Sequence, residues 1–207
     1  MTFRIEEKLF LNTNQIHDFK KWINLKNSKK IYNNRLVRSI YFENNIDQMF
    51  ADSEEGCVPR KKIRVRNYPH NNYSKDYFLE VKITSVEGRF KSNKKINQEY
   101  LDNITRYGYI DQYYGVCFPK LEINYLREYY KVMNSRITID SKIFYKDYKD
   151  SNLLNTDEIT IIEIKANINT DLNKLYCDFP FQRVRFSKYC RGYLSLYAWI
   201  IFNVILN

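Results

Sequence analysis

Glycine and proline are scarce in this chain of 207 residues, at five and four. So few breakers argue against a flexible linker, no low-complexity segment or fixed repeat is present, and one domain over residues 1–207 is expected. Histidine occurs only as His17 and His70. No two of Cys57, Cys117, Cys177 and Cys190 have C-x-x-C spacing, which argues against a structural zinc site. The charged, strand-like opening carries no leader-like pattern, so free thiols in a reducing, cytoplasmic compartment are expected. No G-x-x-x-x-G-K-[ST] phosphate loop occurs. The most apolar run, residues 193–206, falls short of the roughly 20 residues that a membrane span needs. A buried helix is the expectation there, with contact at the cytoplasmic face of a membrane as the alternative.

What is abundant is positive charge. The net charge is +10 and the isoelectric point about 9.3, so the ligand class is anionic. Plentiful Asn, Lys, Ile and Tyr can also reflect AT-rich coding, which raises lysine without a function. Composition does not, however, put charges on alternate positions. Five segments do so: Arg4 to Lys8, Lys62 to Arg66, Glu80 to Lys82, Arg136 to Asp140 and Glu163 to Lys165. A strand has period two, so each has a charged face and, through the Ile and Val between, an apolar one.

Strands are predicted over 3–10, 36–43, 60–68, 77–86, 89–96, 120–131, 135–145 and 158–166. Helices are predicted from the Asn12-Thr13-Asn14 cap to Leu25 or Lys26, over 97–107, over 171–176, and from Ser187 to Ile201. The stretch from Asn44 to Pro59 reads as a short irregular or helical connection. The class is α+β: an antiparallel β-barrel of about eight strands with flanking helices, closure removing the edges.

Arg64 and Arg66 point one way with Lys62 beside them, and a planar guanidinium matches phosphate oxygens. Glu80 and Lys82 repeat the spacing on the partner strand. Arg127 adds a cation, Arg136, Thr138 and Asp140 share a face, and Glu163 and Lys165 share another. Burying so many cations without an anion is costly. Either the faces are wet or they receive anions. Cross-strand ion pairs, such as Glu80 with Lys62 or Arg64, are the competing account of the same spacing. Phosphate needs only cations, so Glu6, Glu80 and Glu163 among them point to a hard divalent metal, Mg2+ or Mn2+.

In order along the chain, these segments resemble the vacuolar transporter chaperone (VTC) domain, the polyphosphate polymerase branch of the triphosphate tunnel (CYTH-like) metalloenzymes. The resemblance rests on Arg4-Ile-Glu-Glu-Lys8, Ser39-Ile-Tyr-Phe-Glu43, Arg60 to Arg66, Glu80-Val-Lys82, Pro119 with Tyr125 and Arg127, Arg136 to Asp140, Glu163-Ile-Lys165 and Phe186-Ser-Lys188. It implies a tunnel of antiparallel strands that binds triphosphate or polyphosphate. Carried over by position, Lys8, Arg64, Arg66, Lys82, Arg127, Arg136 and Lys188 are catalytic phosphate contacts, Lys165 is a further phosphate contact, and Glu163 is the metal ligand with Glu6 and Glu80. Arg4 stands where the hydrolytic and cyclase branches carry an acid. Glu43 stands where the family has Asp, and the link from Arg127 to Arg136 is short.

The implied activity is a metal-dependent transfer of the terminal phosphoryl group of ATP to polyphosphate. Two alternatives are a triphosphatase in the same tunnel and a non-catalytic binder of polyphosphate or RNA. ATP and polyphosphate are the expected partners. No specific nucleic acid is expected, and a membrane-protein partner is compatible with the family.

Overall fold

A computed structural model describes residues 4–69 and 76–205, which divide into two compact units. The first comprises the chain up to Arg35, Tyr125–Ile143 and Asp157–Phe186. The second comprises Leu36–Asn124, Phe144–Thr156 and the chain from Ser187 onward. The class is α+β, as expected. Ten strands form one hydrogen-bonded sheet, eight of them in a continuous order.

The first unit carries β1 (Arg4–Leu11), α1 (Thr13–Leu25), β10 (Thr160–Asn167), α4 (Leu172–Asp178), the start of β2 (Lys29–Glu43), the end of β7 (Gly115–Val132) and the start of β8 (Ser135–Asp147). β1 and β8 flank β10, both antiparallel to it. Leu9 lies opposite Ile162, and Ile137 and Ile139 lie opposite Ile164 and Ile162. This apolar side packs on Phe19 and Ile23 of α1 and on Phe179. Asn12 starts α1 with a reciprocal cap: its side chain accepts from the Gln15 N–H at 2.9 Å, and the Gln15 side chain accepts from the Asn12 N–H at 3.1 Å. Period two thus sends Glu6, Lys8, Glu163, Lys165, Arg136 and Thr138 to the opposite side of these strands.

The second unit carries α2 (Gln48–Glu55), β3 (Arg60–Asn67), β4 (Tyr77–Ser85), β5 (Gly88–Ile96), α3 (Gln98–Tyr107), β6 (Tyr109–Asp111), β9 (Leu154–Asp157) and α5 (Lys188–Ile205), with the rest of β2, β7 and β8. β3 pairs antiparallel with β2 and β4, and β4 with β5. Ile40, Phe42, Ile63, Val65 and Leu79 pack under Met49 of α2 and Leu101 and Ile104 of α3. Gly108 follows α3 at φ +87°, and a Cβ there would lie 2.4 Å from Val116 Cγ1, so two independent constraints require glycine. Ser187 caps α5, its Oγ accepting from the Cys190 N–H at 3.3 Å.

β2, β6 and β9 depart from expectation, and β7 begins five residues before its predicted start, at Gly115. β2 begins seven residues early, because its first half is polar and exposed and shows no alternation to read. The connection after Asn44 takes the helical one of its two expected forms, α2, closed by Gly56 in the left-handed region at φ 81°. β6 and β9 are too short to be seen as patterns. All four cysteines are free, and among the described residues no helix is long and apolar enough to cross a membrane.

Glu43 ends β2 with only 2% of its surface exposed. Burial, reinforced by Asp47, pushes its carboxyl up to about 9, with the N–H groups of Met49 and Phe50 and the Lys120 ammonium only partly offsetting this. Because the folded value is raised, its contribution to stability is full below about pH 4.5 and declines as pH rises toward 9. Glu43→Gln removes that penalty. It should stabilise the protein at pH 7 relative to wild type by on the order of 3 kcal/mol more than it does at pH 4. Denaturant unfolding across this range is the check, and parallel curves for the two proteins would contradict the assignment.

Candidate functional site

β3, β4 and β5 pair without a bulge between Arg60 and Asn67, so side chains from three strands line up in rows on the side away from the core. Lys62, Lys82 and Lys91 form one row, each directly opposite the next. Arg64, Glu80 and Asn93 form the next, followed by Arg66, Phe78 and Lys95. Arg60, Thr84 and Arg89 form the row before. Like charges directly opposite destabilise a sheet, so a row of three lysines is not what packing alone selects.

Glu80 is the acid at the centre of this grid. Its Oε2 accepts from Arg64 Nε at 2.7 Å and NH2 at 2.5 Å, and its Oε1 accepts from Lys91 Nζ at 2.6 Å. Arg66 NH1 stands 3.9 Å away. Arg64, Arg66 and Glu80 are only 8%, 7% and 2% exposed. Within this group of four side chains, three positive charges face one negative charge. Burial alone would raise the Glu80 carboxyl, but Arg64, Arg66 and Lys91 hold it down to about 2. The pairing of Glu80 with Arg64 that the sequence offered as a competing account is therefore real, yet it is buried and cation-rich, unlike a solvated outer ion pair.

β2 completes the grid. Ser39 lies opposite Arg66 and Tyr41 opposite Arg64. Tyr41 Oη accepts from Arg64 NH1 at 2.7 Å, and Ser39 Oγ accepts from Arg66 Nε at 3.1 Å. The first turn of α5 meets the same face: Lys62 Nζ donates to Ser187 Oγ at 2.9 Å and lies 5.0 Å from the centre of the Tyr189 ring, which stacks on Tyr41. Lys188 follows directly, half-buried. Lys82 is exposed.

The first unit has its own charged face. Lys8 lies opposite Glu163 and Thr138 follows on β8; Glu6 lies opposite Lys165 and Arg136 follows. Lys165 Nζ is 2.6 Å from Glu163 Oε1 and 4.0 Å from Glu6 Oε2. Glu6 and Glu163 are also hydrogen-bonded to each other. Burial would raise the Glu163 carboxyl, but that bond together with Lys165 and Arg127 holds it well below the usual range. Arg127 makes a bidentate pair with Asp140, at 2.6 and 2.7 Å, and Asp140 is fully buried. Lys8 Nζ donates to the Phe186 carbonyl at 2.7 Å. Arg136 is exposed.

The sequence-derived candidates thus fall into two sets. Arg64, Arg66, Lys82 and Lys188 belong to the second unit, as does Glu80, whose oxygens are taken by Arg64 and Lys91. Lys8, Arg127, Arg136, Lys165, Glu6 and Glu163 belong to the first. Among the described residues no three His, Cys, Asp or Glu side chains form a ready cluster for a metal ion. Glu6 and Glu163 nevertheless fit one. Both carboxylates face Lys165, and a hard divalent cation suits such a pair of oxygens, taking its other ligands from water and phosphate. Ser39, Tyr41 and Lys91 escaped the sequence reading. The hairpin between Ser85 and Gly88 would have found Lys91 by counting back from the turn.

The VTC domain family matches residues 3–197. No curated protein sequence matches the chain. Among solved structures, a proposed adenylate cyclase of Bacillus halodurans is 13% identical, covering 90% of this chain and 94% of its own, with a TM-score of 0.59. A conserved hypothetical protein of Pyrococcus furiosus is 15% identical over 91% and 99%, with a TM-score of 0.56. A proposed adenylyl cyclase of Hippeastrum, for which a dominant triphosphatase activity is described, is 14% identical over 92% and 96%, with a TM-score of 0.54. Identities this low establish a shared fold.

Because Glu80 titrates low in the folded protein, its contribution to stability is present above about pH 4.5 and lost as pH falls toward 2. It should amount to on the order of 3 kcal/mol. Acid unfolding of Glu80→Gln should be flatter than wild type in that window. An equally steep acid limb would show that the three cations do not act on Glu80.

Proposed function

The chain belongs to the VTC domain family, and on that premise we propose that it is a metal-dependent polyphosphate polymerase acting on ATP. The observation that carries this reading is the buried guanidinium pair, Arg64 and Arg66, in a grid where cations outnumber the one acid, Glu80. A phosphate chain is the polyanion that such a face suits. The four rows from Arg60 to Arg66 run about 20 Å along the strands, room for more phosphates than one triphosphate holds. Arg64 and Arg66 grip successive phosphates through their planar forks. Lys62, Lys82, Lys91 and Lys188 of the same unit are read as further phosphate contacts; in the first unit, taken by itself, Lys8, Lys165 and Arg136 are read so, while Arg127 is engaged by Asp140.

In the reaction, a terminal oxygen of the growing chain attacks the γ-phosphorus of ATP. The bond from that phosphorus to the β,γ-bridging oxygen breaks, ADP leaves with the electron pair, and the chain is longer by one phosphate. Phosphoryl transfer asks the protein mainly for positioning and charge neutralisation. Arginine and lysine side chains supply both, by holding the donor phosphates in line and taking up the negative charge that develops on ADP. Glu163 and Glu6 would hold Mg2+ or Mn2+, which supplies Lewis-acid neutralisation of phosphate oxygens when bound. The free thiols fit a reducing, cytoplasmic setting.

A triphosphatase is the second reading, and the likeness to the Hippeastrum protein favours it. Water would then take the acceptor's place. Incubation with ATP and Mn2+ separates the two: long-chain polyphosphate on a gel is expected, and orthophosphate as the sole product would overturn the polymerase in favour of hydrolysis. Arg64→Ala combined with Arg66→Ala should lower turnover roughly a hundredfold or more. Arg64→Lys combined with Arg66→Lys keeps the charge, loses the forks and should fall in between. Full turnover in a folded double-alanine variant would remove this face from the reaction.

A further inference from the structure

We propose that Tyr41 and Ser39 of β2 are positioning residues, a pair of neutral hydroxyls that aim Arg64 and Arg66 at the phosphates without cancelling their charge. The proposal rests on the phosphate-grip reading of the β2 to β5 face and deepens it.

The placement is too regular to be incidental. Tyr41 lies opposite Arg64 and Ser39 opposite Arg66 in the β2–β3 register, so two hydroxyls spaced by two residues meet two guanidiniums spaced by two. Each makes a hydrogen bond to its own arginine, at 2.7 Å from Arg64 NH1 and 3.1 Å from Arg66 Nε. Arg64 is thereby anchored on two sides, by Glu80 on Nε and NH2 and by Tyr41 on NH1. Two anchors fix the plane of the fork, which single-point contact does not, and a fixed fork needs less ordering when a phosphate arrives.

The chemical type of the anchors is the second argument. An acid at position 41 or 39 would orient a guanidinium equally well, but it would add a second or third negative charge to a group already holding Glu80. A hydroxyl accepts the same hydrogen bond and leaves the positive charge available to an anion. Tyr41 is itself held rigidly. Its ring stacks on Tyr189, with centroids 5.0 Å apart and 25° between planes, and only 6% of its surface is exposed. Its phenol also reports the field of the site: burial would raise its pKa, yet Arg64, Arg66 and Lys62 draw it below the ordinary tyrosine value.

The test uses tripolyphosphate as the probe, with binding measured by calorimetry and folding by thermal unfolding. Tyr41→Phe keeps the stacked ring and removes only the acceptor. It should weaken tripolyphosphate binding roughly tenfold with little change in unfolding temperature. In an Arg64→Ala background the same substitution should add little, because the group it aims is gone. Ser39→Ala should weaken binding in the same direction, and Ser39→Thr, which keeps the hydroxyl, should recover it. If wild type binds, Arg64→Ala fails to bind and Tyr41→Phe binds like wild type, the positioning role is overturned while the phosphate-grip reading stands. If Tyr41→Phe weakens binding equally with and without Arg64, the residue acts on general structure and the proposal is overturned. If Arg64→Ala binds tripolyphosphate as well as wild type, the underlying reading of the face fails and the proposal falls with it.

Discussion

Arg64 and Glu80 face each other across β3 and β4, and this one buried ion pair organises the second unit's charged face. A buried guanidinium without a partner is prohibitively costly, and so is a buried carboxylate. Register removes both costs at once, because antiparallel pairing at Arg64 and Glu80 brings the fork to the carboxylate. A slip of one residue would exchange Arg64 for Ile63 or Val65 and turn the charges into the core under α2 and α3. The same register then fixes the neighbours: Lys91 reaches the second oxygen of Glu80, and the three lysines of the adjacent row fall opposite one another.

The two units treat charge differently. In the first, Arg127 and Asp140 are matched one to one, with two hydrogen bonds and a fully buried acid. Such a pair holds β7 against β8 and leaves little charge over. In the second, one carboxylate is shared by three cations, and hydroxyls also anchor the arginines. Matched pairs serve the fold, while an excess of oriented cations is what an anion site calls for. The first unit also keeps two carboxyls in contact, Glu6 and Glu163, an arrangement that costs stability unless a proton or a cation lies between them.

Much of this was legible in the sequence because period-two alternation is a local signal. The Lys62 to Arg66 and Glu80 to Lys82 segments announced both their strands and their shared face, and Asn12 and Ser187 announced their helices. Partnerships were legible only where a short turn sets the register. Counting outward from Met133-Asn134 pairs Arg127 with Asp140, and counting back from the β4–β5 turn pairs Lys82 with Lys91. Lys8 opposite Glu163 was beyond reach, because the two residues lie 155 positions apart and nothing local fixes their alignment. Tyr41 was hidden for another reason: an aromatic residue in an alternating strand reads as core, and only the structure shows its hydroxyl against Arg64. The first half of β2 went unseen because it buries nothing.

On this reading, the face built by β2, β3, β4 and β5 holds a phosphate chain. A crystal structure of the protein soaked with tripolyphosphate and manganese tests it most directly. Phosphate oxygens are expected within hydrogen-bond distance of the Arg64 and Arg66 guanidiniums, with Tyr41 and Ser39 still bonded behind them. Anion density confined to other surfaces, with both arginines bound as before to Glu80 and the hydroxyls, would contradict it.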